Sequence, residues 1–320
     1  MTKALLSLLL TLTLTSTASA QAYPTKPIKV VVGFAAGGPA DVLARIIGQR
    51  MTTLLGQNLV VENRPGAGGT IGARSVASAE PDGYTLLFGN TSTLVIGPLM
   101  NRNLDYDTLK SFAPIASVGA SSNLLVVNPA FPATSVQELV AYAKANPGKL
   151  NYSSPGIGTP PHLIGETLKQ RAGIEITHVP YRGGGQAAGD VVSGQVQLAF
   201  ENPAVALPLA QAGRVRALAV TSETRNPQAP EIPTMVESGF PGFVSVSFTG
   251  MVAPTGTPAD IVAKLNAAVN ESLAAPDVQA TLAKLAVEPR PASPEAFAAF
   301  IARERDKWGA MIKAAGIAVN

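Results

Sequence analysis

The sequence predicts an α/β fold with two domains, and three observations support this prediction. From residue 28 onward, β-branched runs alternate with helical patterns, as they do in parallel sheets covered by helices. The chain has 320 residues, of which 46% are hydrophobic, so it can form two cores. A strand, a glycine-rich turn and a helix start recur at 33–41, 153–162 and 180–190. Because ligands of open α/β sheets bind at the carboxyl ends of strands, these turns can converge on a cleft between two lobes.

The first part of the chain alternates regularly between strands and helices. Its predicted elements are a strand at 28–34, a helix at 39–55, a strand at 59–62, a turn at 65–72, a helix at 73–79, a strand at 84–88 and a loop at 89–93. Pro39 suits the first position of a helix. The N–H group that proline lacks would have no hydrogen-bond partner within the helix at that position, whichever residue stood there. Gly37 and Gly38 have no side chains, so the backbone in front of that helix is not covered.

The second part continues the alternation and then changes in character. Strands are predicted at 112–118, 124–128, 150–154, 174–180, 196–200, 215–221 and 244–253, and helices at 136–146, 162–171, 258–273, 276–285 and 294–315, with a further helix after the third glycine turn. Ser135 and Glu138 have the spacing of a capping box, and Thr257 is predicted to cap a helix that starts at Pro258. Four prolines predict an irregular segment at 225–245.

The N-terminus has the pattern of a secretory signal peptide. Lys3 precedes an apolar run over 4–14, and a small-x-small cleavage site follows at 18–20. We expect cleavage of 1–20, which leaves a chain starting at Gln21. The sequence has no cysteine, which excludes disulfides, thiolate metal sites and a lipid-modified N-terminal cysteine. An exported protein without such a tether indicates the bacterial periplasm.

Charge and composition exclude several classes of function. Without Lys3 the chain has 23 basic and 21 acidic residues, so it is nearly neutral. The basic residues are scattered, with no stripe that contains aromatics, which argues against nucleic acid as a partner. With two histidines and no clustered carboxylates, we expect no metal site, and we expect no cofactor.

Motifs for catalysis are largely missing. The glycines at 66–72 miss the dinucleotide spacing by one position, and no phosphate-binding loop is present. A hydrolase needs a nucleophile, a base and an orienting group, for which Ser153 or Ser154, His162 and Asp190 are the candidate set. There is no G-x-S-x-G elbow. An exported serine hydrolase that uses Ser154 and His162 therefore stays the alternative function.

The other polar groups of the predicted cleft are backbone N–H groups and hydroxyls. They belong to Gly37, Gly38, Thr91, Ser92, Ser153, Ser154, Gly156, Gly158 and Thr159. A glycine turn that leads into a helix presents free N–H groups and the positive end of the helix dipole, which bind a small anion without converting it. The alternative is that the glycines only shape turns and the hydroxyls only cap helices.

Several motifs carry a resemblance to a known family. They read FAAGGPAD at 34–41, VVENRPGAGG at 60–69, PDGYTL at 81–86, YSSPGIGT at 152–159 and VPYRG at 179–183. With these motifs the chain, from residue 23 to its final helices, resembles the Bug family, the TctC-type substrate-binding proteins of tripartite tricarboxylate transporters. The resemblance implies a two-lobed type II periplasmic-binding-protein fold, or Venus flytrap, with lobe 1 at 23–123 plus 243–320 and lobe 2 at 124–242.

The resemblance also implies a function and its partners. The protein would be a periplasmic solute-binding protein, not an enzyme, that captures a small carboxylate: a di- or tricarboxylate or an aromatic acid. It would deliver this ligand to a membrane permease of one large and one small subunit. Docking of the closed state to a sensor kinase is an open alternative. A monomer is expected, because the lobes must hinge.

The family's two gripping loops and the segments beside them map onto specific positions of this chain. The implied ligand-binding residues are Phe34, Ala35, Ala36, Gly37, Gly38, Asn90, Thr91, Ser92, Ser154, Gly156, Gly158, Thr159, His162, Tyr181, Glu201 and Asn202. Arg45 and Arg182 are expected to be structural. The chain departs from the family pattern at Ala36 and Pro39, and at Glu201, where Asp is frequent. An acid there can accept a ligand ammonium or hydroxyl, or narrow the pocket.

Overall fold

A computed structural model describes residues 23–101, 103–181, 183–314 and Gly316. The predicted signal peptide at 1–20 and Arg182 lie outside the described residues. Within the described part, no helix combines the length and the apolar character that crossing a membrane requires.

The strands form two separate sheets. They are β1 (Ile28–Val32), β2 (Leu59–Asn63), β3 (Thr85–Asn90), β4 (Phe112–Ser122), β5 (Leu124–Val127), β6 (Leu150–Ser154), β7 (Ile176–Pro180), β8 (Leu198–Glu201), β9 (Arg216–Val220), β10 (Val246–Pro254) and β11 (Glu288–Pro289). The first sheet has the order β11-β4-β10-β3-β1-β2, and the second has the order β7-β6-β8-β5-β9.

The helices follow the strands closely. They are α1 (Pro39–Leu55), α2 (Thr70–Ala77), α3 (Gly97–Met100), α4 (Thr108–Ser111), α5 (Val136–Ala145), α6 (Pro160–Ala172), α7 (Gly184–Ser193), α8 (Pro203–Gln211), α9 (Ala259–Ala274), α10 (Pro276–Lys284) and α11 (Pro294–Ala314). A 3₁₀ turn (Ala67–Gly69) precedes α2, and a π-helix (Ser92–Ile96) follows β3. The predicted alternation of strands and helices is confirmed.

The prediction of a parallel sheet is wrong for three strands, β5, β10 and the short β11. β1 pairs in parallel with β2 and β3, but β10 is antiparallel to β3 and β4. The chain leaves the first sheet at Ser122 and re-enters it at Val246, directly opposite. A strand that begins at the edge of the sheet where its neighbours end must run antiparallel to them. The same holds for β5, which begins at Leu124, opposite the last residues of β8 and β9.

The first sheet is buried on both faces. Val30 belongs to a cluster with Ile47 of α1 and Leu265 of α9, whereas the next residue, Val31, packs with Trp308 of α11. This alternation follows from the period of two in a strand. Leu163 of α6 is fully buried in the same cluster as Trp308, so a helix of the second sheet packs against one of the first.

Four helical segments lie where the sequence patterns predict none: the π-helix, α3, α4 and α8. The π-helix replaces the predicted loop at 89–93 in part, and all five of its residues are buried. α8 starts after Asn202, whose side-chain oxygen accepts a hydrogen bond from Ala204 N at 2.9 Å, with Pro203 in the first position. Asn at the cap and Pro in the first position are a standard helix start, although the sequence patterns did not predict a helix here.

The two predicted caps have different outcomes. Ser135 Oγ accepts the Glu138 N–H at 3.2 Å, as the capping box predicts, while the Glu138 carboxylate accepts from Thr134. The prediction that Thr257 caps α9 is wrong. Its hydroxyl donates to Pro254 O at 2.7 Å, and Pro258 occupies the cap position. The polar side chain therefore closes the preceding turn and leaves the helix start uncapped.

Packing at the centre of β10 leads to a stability prediction. A Cβ added to Gly250 would press on the Phe297 ring and lie 2.8 Å from Ala116 O, a backbone atom of the neighbouring strand. We expect Gly250→Ala to lower the free energy of unfolding in urea by about 1–3 kcal/mol, as overpacking does. The matched control is Gly309→Ala in α11, where the nearest atom is 3.8 Å away and alanine favours the helix. Equal unfolding midpoints for the two variants would contradict this account.

Candidate functional site

A cavity of about 550 Å³ lies between the two sheets. Loops at the carboxyl ends of β1 and β3 form its wall on the first sheet, and those after β6, β7 and β8 form its wall on the second. Eleven of the predicted ligand-binding residues line it: Phe34, Ala35, Ala36, Gly37, Gly38, Asn90, Thr91, Ser92, Thr159, Glu201 and Asn202. All three glycine-rich turns of the sequence contribute to it.

Five predicted residues are not among those that line the cavity. They are Ser154, Gly156, Gly158, His162 and Tyr181. Ser154 and His162 are buried, and the Tyr181 hydroxyl bonds to Asp190. Contact between these five residues and a ligand remains a prediction, whereas their internal hydrogen bonds hold the wall in place.

The turn after β1 is fixed by a buried acid. Asp41 is 3% exposed and accepts hydrogen bonds from Gly37 N at 2.9 Å, from Asn63 Nδ2 at 3.0 Å and from Arg45 Nε at 3.0 Å. Burial opposes ionisation, but these hydrogen bonds prevail and hold the pKa of Asp41 below its usual range. Arg45 is thus structural, as expected. The N–H groups of Ala35 and Ala36 have no partner among the described residues.

The turn after β6 is held by hydroxyls. Gly156 N donates to Ser154 Oγ at 3.1 Å, and the Thr159 hydroxyl donates to Gly156 O at 2.7 Å. α6 then starts with Pro160 and Pro161, neither of which has an N–H group. This turn therefore offers an anion fewer N–H donors than its glycines suggest. Its Thr159 lines the cavity.

A buried polar network lies beneath that turn. Ser154 Oγ is 2.6 Å from His178 Nε2, and the His178 ring stacks on Tyr152, whose hydroxyl donates to Glu166 at 2.7 Å. Burial, reinforced by the nearby His162, lowers the pKa of His178 to about 4. His178 is therefore neutral at physiological pH, and the network supports the turn without adding charge.

This geometry corrects the serine hydrolase alternative. Ser154 pairs with His178 and not with His162, whose Nδ1 is instead 3.4 Å from Gly158 N. The third candidate, Asp190, bonds to Tyr181. The predicted nucleophile, base and orienting group thus have different partners, and Ser154 lies off the cavity wall. The hydrolase hypothesis is not supported.

The start of α7 is a part of the wall that the resemblance did not assign to ligand binding. Gly183, Gly184, Gly185 and Gln186 all line the cavity, with their helix N-terminus directed to it. The glycine turn at 180–190 was visible in the sequence, but Tyr181 was selected from it. The glycines next to Tyr181 were the better signal, because a backbone without side chains leaves the N–H groups of a helix start open to the cavity.

The strands that pass between the sheets form another missed part. Ser121, Asn123, Ser247 and Thr249 lie in or next to β4, β5 and β10, at the floor of the cavity. The Asn123 side chain is 4% exposed, and its Oδ1 is buried without a hydrogen-bond partner in the described part of the chain. No local pattern marks these residues, since only the crossing of the chain between sheets brings them to the site.

Glu201 is the one ionisable side chain among the described residues that line the cavity. It is 3% exposed, and its Oε1 accepts a hydrogen bond from Asn202 N at 2.8 Å. Burial disfavours the carboxylate more than this hydrogen bond stabilises it, which raises the pKa of Glu201 to about 7. The side chain thus titrates near neutrality and can present either a donor or an acceptor.

Residues 43–317 match the family described as the tripartite tricarboxylate transporter family receptor. The chain belongs to this family. The receptor is 36% identical over 298 residues to protein BugT of Bordetella pertussis, which covers 93% of this chain and 91% of that protein. The resemblance seen in the sequence motifs is confirmed, and the family is one of solute-binding proteins.

Solved structures agree with the fold of the receptor. The periplasmic binding protein BugD is 37% identical, with a TM-score of 0.87 over 92% of this chain and 99% of that chain. A Rhodopseudomonas palustris protein solved with adipate is 36% identical (TM-score 0.89; 92% and 99% covered). MatC from the same organism, with bound malate, is 36% identical (TM-score 0.86; 91% and 100% covered). The two-sheet binding-protein fold is therefore confirmed.

The buried Glu201 gives the free receptor a pH-dependent stability. Its pKa is 4.5 in the reference state and about 7 when folded, so the folded protein binds the extra proton and loses stability as the pH rises through that window. At pH 8, we expect Glu201→Gln to raise the free energy of unfolding by as much as about 3 kcal/mol, since each pKa unit corresponds to about 1.4 kcal/mol.

Urea unfolding of the wild type and Glu201→Gln at pH 8 and pH 4.5 measures this effect. The pair at pH 4.5 is the control, because both side chains are then neutral and the difference should nearly vanish. Equal stabilities at pH 8 would show that the ionised carboxylate is solvated in the folded state.

Proposed function

We propose that this receptor captures a small carboxylate in the cavity between its sheets and delivers it to a tripartite tricarboxylate permease. The observation that carries the proposal is the wall itself: bare turns and helix starts whose N–H groups face a nearly uncharged cavity. Homologous structures hold adipate and malate, which supports a carboxylate as the ligand.

No arginine or lysine lines the cavity in the described part of the chain, so backbone groups are left to hold the anion. At the start of α1, the unpaired N–H groups of Ala35 and Ala36 and the helix dipole favour a carboxylate. The start of α7 adds N–H groups from the opposite sheet. Apolar residues between them, including Phe34, Leu43 and Phe248, suit the carbon chain of the ligand.

Binding and closure are coupled because the ligand needs both walls. We propose that 23–123 plus 243–320 and 124–242 move as two lobes about the crossings at β4–β5 and before β10. A ligand that touches both walls only in the closed state shifts the population towards that state by its differential affinity. The permease then distinguishes the loaded receptor by its shape.

The remaining assignments follow from this role. The receptor acts in the periplasm after cleavage of 1–20, as a monomer, and releases its ligand unchanged. Its partner is a permease of one large and one small subunit. Docking of the same closed state to a sensor kinase is the alternative output, which a permease gene next to that of the receptor would disfavour.

Thermal unfolding with a panel of acids tests the proposal. The panel contains citrate, malate, adipate, glutamate, benzoate and terephthalate. A ligand at about 100 times its dissociation constant adds about 2.7 kcal/mol of stability, which for this size raises the melting temperature by about 5 °C. We expect such a shift with at least one acid, and no product after incubation.

Gly38→Val is the site variant for this test. Gly38 has φ −77°, which valine adopts without strain, and its added side chain blocks the first turn. Gly158 is less suitable, since its φ of +76° would strain any other residue. We expect Gly38→Val to keep its melting temperature and to lose the ligand shift, while Gly309→Ala keeps both. A full shift in Gly38→Val would remove the first turn from the site, and turnover of any acid would overturn the proposal.

A further inference from the structure

We propose that Glu201 selects dicarboxylates by taking up one proton as the ligand binds and donating it in a hydrogen bond to the second carboxylate of the ligand. This inference rests on the proposed function, in which the first carboxylate occupies the turn after β1. It assigns Glu201 as the binding partner of the other end of the ligand, and it specifies the ligand class as dicarboxylates.

The position of Glu201 suits that role. It is the last residue of β8, on the opposite sheet from the turn after β1, and it lines the same cavity. Its Oε1 already accepts the Asn202 N–H at 2.8 Å, whereas Oε2 has no hydrogen-bond partner among the described residues. One oxygen is thus anchored and the other is left for a ligand.

The surroundings of Glu201 supply no counter-ion in the described part of the chain. The start of α7 touches it through Gly184, where a Cβ would lie 3.1 Å from Oε1. The neighbouring strand β5 places Leu124 opposite it, next to Asn123, and α8 begins with Asn202. None of these groups is charged, and the cause of its raised pKa is burial alone, partly offset by the Asn202 N–H.

This lack of charge constrains how a dianion can bind. Two ionised carboxylates and an ionised Glu201 would place three negative charges in one cavity, which has no described cation to balance them. Since the pKa of Glu201 is already about 7, a nearby second carboxylate raises it further. A proton then moves from solvent to Glu201, and the new O–H donates to the ionised ligand oxygen. No bond of the ligand breaks.

Proton uptake can be counted by calorimetry. Adipate is titrated into the wild type at pH 8 in phosphate, HEPES and Tris, and at pH 6 in phosphate, MES and Bis-Tris, because the buffers within each set differ in ionisation enthalpy. For a pKa of about 7, we expect uptake of about 0.9 proton per adipate at pH 8 and about 0.1 at pH 6. The dissociation constant should rise about tenfold per pH unit above pH 7.

Three variants separate Glu201 from other sources of the proton. Glu201→Gln, which keeps a donor, should bind adipate with no proton uptake and with the same affinity at pH 6 and pH 8. Glu304→Gln, a buried glutamate of α11 outside this cavity, is the control and should keep the wild-type count. Arg182, outside the described residues, is tested by Arg182→Gln, which should also keep it.

A ligand comparison tests the hydrogen bond itself. Hexanoate has the chain length of adipate but lacks the second carboxylate. At pH 6, we expect the wild type and Glu201→Gln to prefer adipate at least tenfold, and Glu201→Leu, which has no donor, to lose the preference.

The outcomes distinguish this inference from the proposed function. If adipate or malate binds without proton uptake, or if Glu201→Leu keeps the preference, the assignment of Glu201 is wrong and the carboxylate receptor stands. Tighter binding of glutamate than of adipate at pH 8, with proton release, would show an ionised Glu201 that accepts an ammonium group, and would also overturn it. If no carboxylate binds at all, both proposals fail. The proton uptake measured on the wild type tests this inference even if none of the variants folds.

Discussion

Parallel strands end at one edge of their sheet, and the whole site depends on this constraint. The turns after β1, β3, β6 and β8 are distant in sequence, yet each lies where its strand ends, so they meet in one cavity. The antiparallel direction of β5 and β10 follows from the same geometry. They enter at the edge where their neighbours end, and they thereby bring the two sheets' edges face to face.

The turns keep their shape because buried polar side chains bind them from behind. Asp41 does this for the first turn, with Arg45 and Asn63, and the pair of Ser154 and His178 does it for the second. Each group forms its hydrogen bonds inside the protein. Among the described residues, the cavity side therefore keeps free N–H groups and almost no charge. An uncompensated buried charge is costly, which is why the exception, Glu201, is poised to be neutral.

The strands and helices were predictable because they depend on local patterns. The helix starts at Pro39 and Ser135 follow from residue types within a few positions. Where the prediction was wrong or incomplete, a competing hydrogen bond or burial decided. Thr257 bonds backward to Pro254 instead of capping α9, and the π-helix is stabilised by burial of all its residues, which no local pattern reveals.

The sequence by itself determined the family, the alternation of elements and the three glycine turns, since each is a pattern over a short segment. Only the tertiary structure decided which polar groups line the cavity and which support its wall. Ser154 and His162 look like site residues in sequence, but packing turns them inward, while Gly184 and Asn123 reach the cavity. The pKa of Glu201 also belongs to the folded state, because burial is the cause of its shift and burial requires both sheets.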